Sequence, residues 1–142
     1  MLTRILKLSF LPASMDAGIL LLRITVGLSL FIKHGYEKVF SFSTMAPVFN
    51  DPIHIGTRNS LILAMISDGI CSLLVVLGLG TRPAALYSFI VIFVAWSMRY
   101  HFLYLGHLVA DHGELMVLYL AGLAAIVITG PGRYSIDARL KD

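Results

Sequence analysis

Charged residues are scarce in this sequence. Of its 142 residues, 13% are Asp, Glu, Lys or Arg, whereas 58% are hydrophobic. A soluble domain of average composition carries about 25% charged residues. With about half that share, the chain has too little charge to cover the surface of a water-soluble globule. The composition therefore excludes an ordinary soluble domain and predicts an integral membrane protein.

Cysteine is almost absent. Cys71 is the only one, and it lies inside an apolar run. A single cysteine excludes an internal disulfide, a C-x-x-C redox pair, a C-x-x-C-H haem attachment and a cysteine-ligated iron–sulfur cluster within this chain. Any redox chemistry would therefore have to use a bound cofactor or a partner protein.

Several functional motifs are missing as well. The sequence contains no P-loop, no G-x-G-x-x-G and no Ser-His-Asp pattern, which argues against nucleotide-binding and hydrolase functions. It also contains no H-x-x-x-H or E-x-x-H pair, so we expect neither a metal nor a haem site. The formal net charge of +3 comes from basic residues at the ends of apolar segments. That placement is typical of membrane proteins, and it argues against a nucleic-acid partner.

What the sequence does contain is long apolar segments. A membrane-spanning helix needs about 20 predominantly apolar residues, and four segments approach that length: about 17–37, 61–80, 83–105 and 112–130. Residues 41–60 are too polar and too interrupted by proline to span, so they should form an outer loop. We therefore predict an all-α fold, in which residues 1–142 form a single membrane domain built as an antiparallel four-helix bundle.

The orientation follows from the basic residues near the ends of the spans. The side that would hold both termini and the 80–83 turn carries Arg4, Lys7, Arg82, Arg133, Arg139 and Lys141. The opposite side carries fewer: Lys33, Lys38, Arg58 and Arg99. The excess predicts that both termini are cytoplasmic.

Ionisable residues inside the spans are the candidates for a site, because each is costly in lipid and normally faces a partner in the bundle. On an ideal helix, His34 and Lys38 lie within roughly 60° of Arg23, which defines one polar face. Asp68 and Glu114 are acids on other spans that could neutralise it, and His101 lies about one turn inside the third span. The predicted cofactor-binding residues are Arg23, His34, Lys38, Asp68, His101 and Glu114.

A structural interpretation of the same residues stays open. An ion pair between Arg23 and Asp68 could simply fix the register of two helices. Lys38 could extend its ammonium group to the lipid headgroups. The residues alone do not decide between a structural role and a binding site.

Three stretches resemble the DoxX family: "LLLRITVGLSLFIKHGYEKVF", "ISDGICSLLVVLGLGTRPAAL" and "GELMVLYLAGLAAIVITGPGRYSIDARL". The family's second motif commonly has Glu where this chain has Asp68. The resemblance implies a small four-helix protein of the bacterial or archaeal inner (plasma) membrane. Named relatives are subunits of a thiosulfate:quinone oxidoreductase, and others are described as membrane partners of redox proteins.

The hypothesis that combines residues and resemblance is a membrane subunit or partner of a quinone-linked oxidoreductase system. The polar residues would supply donors and protons to a quinone, and Tyr36, Trp96 and Tyr100 would wall its ring. A soluble redox partner protein would bring the electrons, and small residues on the helix faces would permit a homo-oligomer. The alternative is a non-enzymatic membrane scaffold or small-solute carrier held together by a structural ion-pair seam.

Overall fold

The computed structural model describes residues 14–100 and 113–140, and the side chains of all of these except 99 and 100. Within those ranges the chain is helical, with turns and no strand. The helices are α1 (Met15–Phe40), α2 (Phe42–Met45), α3 (Thr57–Leu77), α4 (Thr81–Tyr100), α5 (Gly113–Thr129) and α6 (Ile136–Arg139). Two of them contain a π-helical turn, at Phe31–Gly35 in α1 and at Ile66–Cys71 in α3.

Three of these helices are long and apolar enough to cross a membrane: α1 with 26 residues, α3 with 21, and the Thr81–Met98 part of α4 with 18. The apolar helix α5 has 17 described residues, which corresponds to about 25 Å at 1.5 Å per residue. Their outward faces keep large apolar side chains exposed, among them Leu21, Leu118 and Ile128. An apolar exterior of this kind suits lipid better than water, so the chain is a helical bundle compatible with a multi-pass membrane protein.

The ends of the helices follow from local sequence. Ser14 caps α1, and its hydroxyl accepts a hydrogen bond from the Ala17 N–H at 3.2 Å. Helix α3 ends just before Gly78, which has a φ of 74°, in the left-handed region where a side chain is disfavoured. Its N–H returns to the Leu74 carbonyl, which closes the helix. Because α4 begins at Thr81, the chain reverses within three residues and α3 and α4 run antiparallel.

The core lies where the four long helices meet. α5 packs along α4, while α1 packs against α3 and α5. The most deeply buried apolar side chains are Leu61 and Val75 from α3, Ala85 from α4, and Leu123 and Ile126 from α5. A bundle of this kind has two distinct ends. We call the one that holds Ser14, the Gly78–Gly80 turn and residues 130–140 the turn end, and the opposite one the cavity end.

The structure also shows where the hydropathy pattern was too coarse. The predicted loop 41–60 contains the short helix α2, and α3 begins at Thr57. Hydropathy measures fitness for lipid, so it misses the first, polar turn of a helix that starts outside the apolar layer. The part of the third predicted span beyond residue 100 lies outside the described residues. Both described ends of the chain lie at the turn end, and its cytoplasmic location stays a prediction.

Candidate functional site

The candidate site begins where two π-helical turns lie against each other. A π-turn holds one residue more than an α-turn, and such turns are frequent at functional sites. Gly35, at the end of the turn in α1, packs directly on the backbone of Asp68 in the turn of α3. A Cβ added to Gly35 would overlap the Asp68 carbonyl oxygen. The missing side chain therefore lets the two backbones touch, and this contact brings the polar residues of α1 and α3 together.

The centre of the site is an ion pair between Lys38 and Asp68. The Lys38 Nζ lies 2.9 Å from the Asp68 Oδ2, and the two side chains are 13% and 10% exposed. The same ammonium donates to the His34 carbonyl at 2.8 Å. An ammonium has three N–H donors, so one of them is left without an acceptor among the described residues. Lys38 can offer that donor to a ligand.

The Asp68 carboxylate is fixed by its own neighbours. Its Oδ1 accepts from the Ser67 hydroxyl at 2.8 Å, while Oδ2 faces Lys38. The Ser67 carbonyl in turn accepts from the Ser88 hydroxyl of α4 at 3.0 Å. Since both carboxylate oxygens have a partner and the backbone behind them is tied to α4, the position of the negative charge is set before any ligand arrives.

Helix α5 adds Tyr119 on the other side of His34. The two rings meet edge to face with their centroids 5.8 Å apart. The Tyr119 hydroxyl forms a hydrogen bond of 2.8 Å with the Ser29 hydroxyl of α1. Tyr119 is buried, so this bond satisfies a polar group that would otherwise be costly at this position. The contact helps to fix the orientation of the His34 ring.

These residues form one wall of a cavity of about 910 Å³. Small-molecule sites typically measure about 300–1,000 Å³, so the volume suits a ligand with a ring system. His34, Lys38, Asp68, Tyr87 and Tyr119 provide polar groups on its lining, and most of the remaining lining residues are apolar. The apolar part includes Leu30, Leu63, Ile90, Val91, Ile92 and Met116. A neutral, largely apolar molecule with a hydrogen-bond acceptor fits such a lining.

The segment Met45–Ile53 covers one side of the cavity, with Met45, Val48 and Phe49 among its lining residues. Asp51 holds this segment in place. Its carboxylate accepts from the Ile55 N–H at 3.0 Å, the Gly56 N–H at 2.7 Å and the Ser60 hydroxyl at 2.6 Å. The hydrogen bond from Ser60 is the largest influence on the pKa of Asp51, which lies below its ordinary value.

Arg23 does not belong to this site. Its guanidinium donates to the carbonyls of Val75 at 2.9 Å and Val76 at 3.0 Å, and to those of Pro131 and Tyr134. The Arg23–Asp68 ion pair that the structural interpretation allowed is therefore not formed, and Asp68 pairs with Lys38 instead. Helical side chains tilt toward the N-terminus, so Arg23 reaches the turn end. There, the last carbonyls of α3 have no intrahelical donor.

A second carboxylate completes this network at the turn end. Asp137 accepts from the Gly80 N–H at 2.7 Å, and from the Thr81 N–H at 2.9 Å and hydroxyl at 2.8 Å. Burial acts to raise the pKa of Asp137, but these hydrogen bonds and the charge of Arg23 outweigh it and hold the pKa below its ordinary value. The sequence offered one signal for this residue, the Ser-Ile-Asp at the end of the last motif.

The other predicted residues are distributed as follows. Glu114 is exposed on α5 and is not among the described residues that line the cavity. His101 lies outside the described residues, as does the side chain of Tyr100. Tyr36 is 55% exposed, and its ring contacts that of Phe40 at a tilt of 35° with the centroids 4.4 Å apart. Neither Tyr36 nor Trp96 is among the described residues that line the cavity.

The sequence reasoning missed Tyr119 and Asp51. Tyr119 looked like one more apolar position of α5, because nothing in the sequence indicates which face of that helix meets His34. Asp51 did carry a signal, since an Asp-Pro pair followed by a glycine within a polar stretch is typical of a turn. In residues 14–100 and 113–140, no three His, Cys, Asp or Glu side chains lie close enough to hold a metal ion.

Comparison with known proteins gives one finding. The DoxX family model matches residues 18–107, which is more than half of the chain. The chain therefore belongs to the DoxX family. No curated protein and no solved structure matches it.

Proposed function

The chain is a DoxX-family membrane protein. We propose that it is a membrane subunit or partner of a quinone-linked oxidoreductase system and that its cavity binds the quinone ring. One observation carries this proposal. The Lys38–Asp68 pair, whose side chains are 13% and 10% exposed, lies at the wall of a cavity of about 910 Å³ that is otherwise mostly apolar, and one ammonium N–H has no acceptor in the part of the chain that the structure describes. We also propose that the protein lies in the bacterial or archaeal inner (plasma) membrane, and the apolar exterior of its helices supports a membrane location.

The chemistry of the wall matches what a quinone needs. Its ring and tail require an apolar slot, and each carbonyl oxygen accepts a hydrogen bond. Lys38 can donate its third N–H to one of these oxygens. The bond would be charge-assisted, and such bonds are roughly twice as strong as neutral ones. Residues such as Ile90, Val91 and Met116 would face the apolar part of the ring system.

Protons would come from the same wall. Reduction of a quinone to a quinol consumes two electrons and two protons. His34 lines the cavity beside Lys38, and histidine is the side chain whose ordinary pKa lies nearest neutrality, so it is suited to pass a proton. The electrons would come from a redox partner protein, since the chain's single cysteine provides neither a disulfide couple nor a cluster site.

The alternative function is a non-enzymatic scaffold or a small-solute carrier. The turn end favours it, because Arg23 and Asp137 there bond mainly to backbone groups and hold segments together. The two functions differ in what they predict for the cavity end. If the protein is a scaffold or carrier, replacing Lys38 or His34 should leave the activity of the host pathway intact. If the cavity is a quinone site, the same replacements should lower that activity.

The test is to purify the protein from membranes without adding quinone and to identify bound molecules by mass spectrometry of the extract. We expect menaquinone or ubiquinone, and uptake of menadione in a binding titration. Replacing Lys38 with Met should weaken menadione binding about tenfold or more, as expected for the loss of a charge-assisted hydrogen bond.

The matched control is Lys33→Met. Lys33 lies on α1 like Lys38, but it is exposed and does not line the cavity. This variant should leave menadione binding unchanged. If the purified protein neither carries a quinone nor takes one up, the proposal fails. Equal binding losses in the two lysine variants would also contradict it, because the effect would then be one of general charge.

A further inference from the structure

The charged side chains that line the cavity do not favour a negatively charged ligand. Of the side chains described on its lining, Lys38 is the one Lys or Arg, while Asp51 and Asp68 are carboxylates. Lys38 is already neutralised by Asp68 at 2.9 Å. An anion placed beside the ammonium would therefore also lie within a few ångströms of a carboxylate, and the attraction and the repulsion would largely cancel.

Burial makes this cancellation decisive. An anion that leaves water for an apolar cavity loses its hydration, which costs several kcal/mol unless a counter-charge replaces it. No uncompensated cation among the described lining residues is available to do so. A neutral carbonyl oxygen needs no counter-charge, because it only accepts the remaining N–H of Lys38. The wall therefore suits a neutral acceptor and opposes an ionised one.

The carboxylate that creates this preference is held in place. Ser67 bonds one oxygen of Asp68, and Lys38 bonds the other. The Asp68 carbonyl also accepts from the Ser72 hydroxyl, one turn further along α3. For an anion to take over Lys38, Asp68 would have to give up the ammonium while remaining in a buried position. That exchange leaves a buried carboxylate without its counter-charge, which is strongly unfavourable.

We propose that Asp68 makes the cavity selective for neutral, carbonyl-bearing apolar molecules and excludes their ionised counterparts, so that Asp68 determines ligand class. This inference rests on the proposed quinone site and adds to it. One consequence is that small oxyanions such as thiosulfate are not ligands of this cavity, even if a partner protein handles them.

The experiment compares two naphthoquinones of similar size in equilibrium dialysis at neutral pH. Menadione is neutral, whereas lawsone carries an acidic hydroxyl group that is ionised under these conditions. The wild-type protein should bind menadione about tenfold or more tightly than lawsone, because only lawsone brings an uncompensated charge into the cavity. This wild-type comparison does not depend on whether any variant folds.

The variant Asp68→Asn then assigns the preference to its residue. Asparagine has nearly the same shape but no charge, so Lys38 is left without its counter-ion. The lawsone anion can replace the lost carboxylate, and the preference should shift toward lawsone by about tenfold or more. Asp68→Glu, which keeps the charge, should retain the wild-type preference. The double variant Lys38→Met with Asp68→Asn removes both charges and should again prefer menadione.

The outcomes separate the two proposals. If the wild-type protein binds menadione and lawsone equally well, the charge-selectivity inference is overturned while the quinone site stands. A folded Asp68→Asn protein with an unchanged ratio also overturns the role of Asp68. If neither compound binds to the wild-type protein, the quinone site itself is wrong, and the selectivity inference falls with it.

Discussion

The two ends of the bundle use charged residues in opposite ways. At the turn end, the Arg23 side chain is 1% exposed and gives its hydrogen bonds to four backbone carbonyls. At the cavity end, Lys38 bonds one carbonyl and one carboxylate, and its third N–H has no acceptor within residues 14–100 and 113–140. Both are cations on α1 with little exposed surface, but Lys38 lines the cavity described above and Arg23 does not.

The difference shows how a structural charge can be told from a functional one inside a membrane. Arg23 donates hydrogen bonds to carbonyls in the last turn of α3 and in the 131–134 segment. The last carbonyls of a helix have no intrahelical donor. Four of the five N–H donors of Arg23 bond backbone carbonyls, so they specify the fold, and Arg23 is not among the described residues that line the cavity. The Lys38–Asp68 pair instead lies where two π-helical turns meet and where a cavity opens. A buried cation that bonds a side chain next to a cavity is the stronger candidate for function.

The largest expected effect comes from Arg23→Leu. This change removes the donor from four buried or half-buried carbonyls, and an unsatisfied buried polar group costs about 1–3 kcal/mol. We expect the free energy of unfolding to fall by about 3 kcal/mol or more, measured by thermal or denaturant unfolding in detergent. Protein that remains folded should still bind menadione, because Arg23 does not line the cavity.

The matched control is Arg82→Leu at the same end. Arg82 is exposed and donates to a single carbonyl, that of Val127. Its loss should cost less than about 1 kcal/mol, as is usual for surface positions. If Arg23→Leu were as stable as Arg82→Leu, or if it abolished menadione binding without lowering stability, the contrast between the two ends would be wrong.

The next effect tests the contact that creates the cavity end. Gly35→Ala places a methyl group against the Asp68 backbone, so α1 and α3 must separate where they touch. Overpacking of this kind costs about 1–3 kcal/mol. Separation should also increase the distance between the Lys38 ammonium and the Asp68 carboxylate. We therefore expect weaker menadione binding together with a lower unfolding temperature.

Gly18→Ala is the control for this change on the same helix. A Cβ at Gly18 meets nothing within 4 Å, and alanine is the better helix former by about 1 kcal/mol. This variant should be as stable as the wild type or slightly more stable, with unchanged binding. Similar behaviour of the two alanine variants would show that the close approach of α1 and α3 is not needed for the site.

Much of this arrangement could be predicted from the sequence, and the exceptions have physical causes. The apolar segments were recognisable from their length, and the polar residues His34, Lys38 and Asp68 from the rule that a charge inside a span must find a partner. Asp68 was expected to face a polar stripe of Arg23, His34 and Lys38, which an ideal helical period places on one face; of these three, Lys38 is the residue that forms an ion pair with it. The π-turn at Phe31–Gly35 adds a residue and changes the phase between Arg23 and Lys38.

Other parts of the site depend on tertiary packing that no local pattern encodes. Tyr119 enters the site because of the face that α5 turns toward α1, and α5 is apolar around its whole circumference. The covering segment Met45–Ile53 was expected to be non-spanning, but no local pattern places it over the cavity, where Asp51 bonds Ser60. Glu114 was predicted as an acid at the start of the fourth span that could neutralise the polar face, and the packing leaves it exposed.

The smallest effect concerns pH and again separates the ends. The pKa of Asp137 lies below its ordinary value of 3.8, so folding favours the ionised form. Its contribution to stability is therefore complete above that ordinary pKa and is lost as the pH falls through the lowered value. Because its carboxylate caps the start of α4, we expect a contribution of about 1 kcal/mol.

In Asp137→Asn, the loss of stability on acidification should be smaller than in the wild type, as followed by thermal unfolding between neutral and strongly acidic pH. Menadione binding at neutral pH should be the same in both proteins, because Asp137 belongs to the turn end. An acid response that is unchanged in Asp137→Asn would mean that carboxylates elsewhere, rather than this cap, govern the acid sensitivity of the fold.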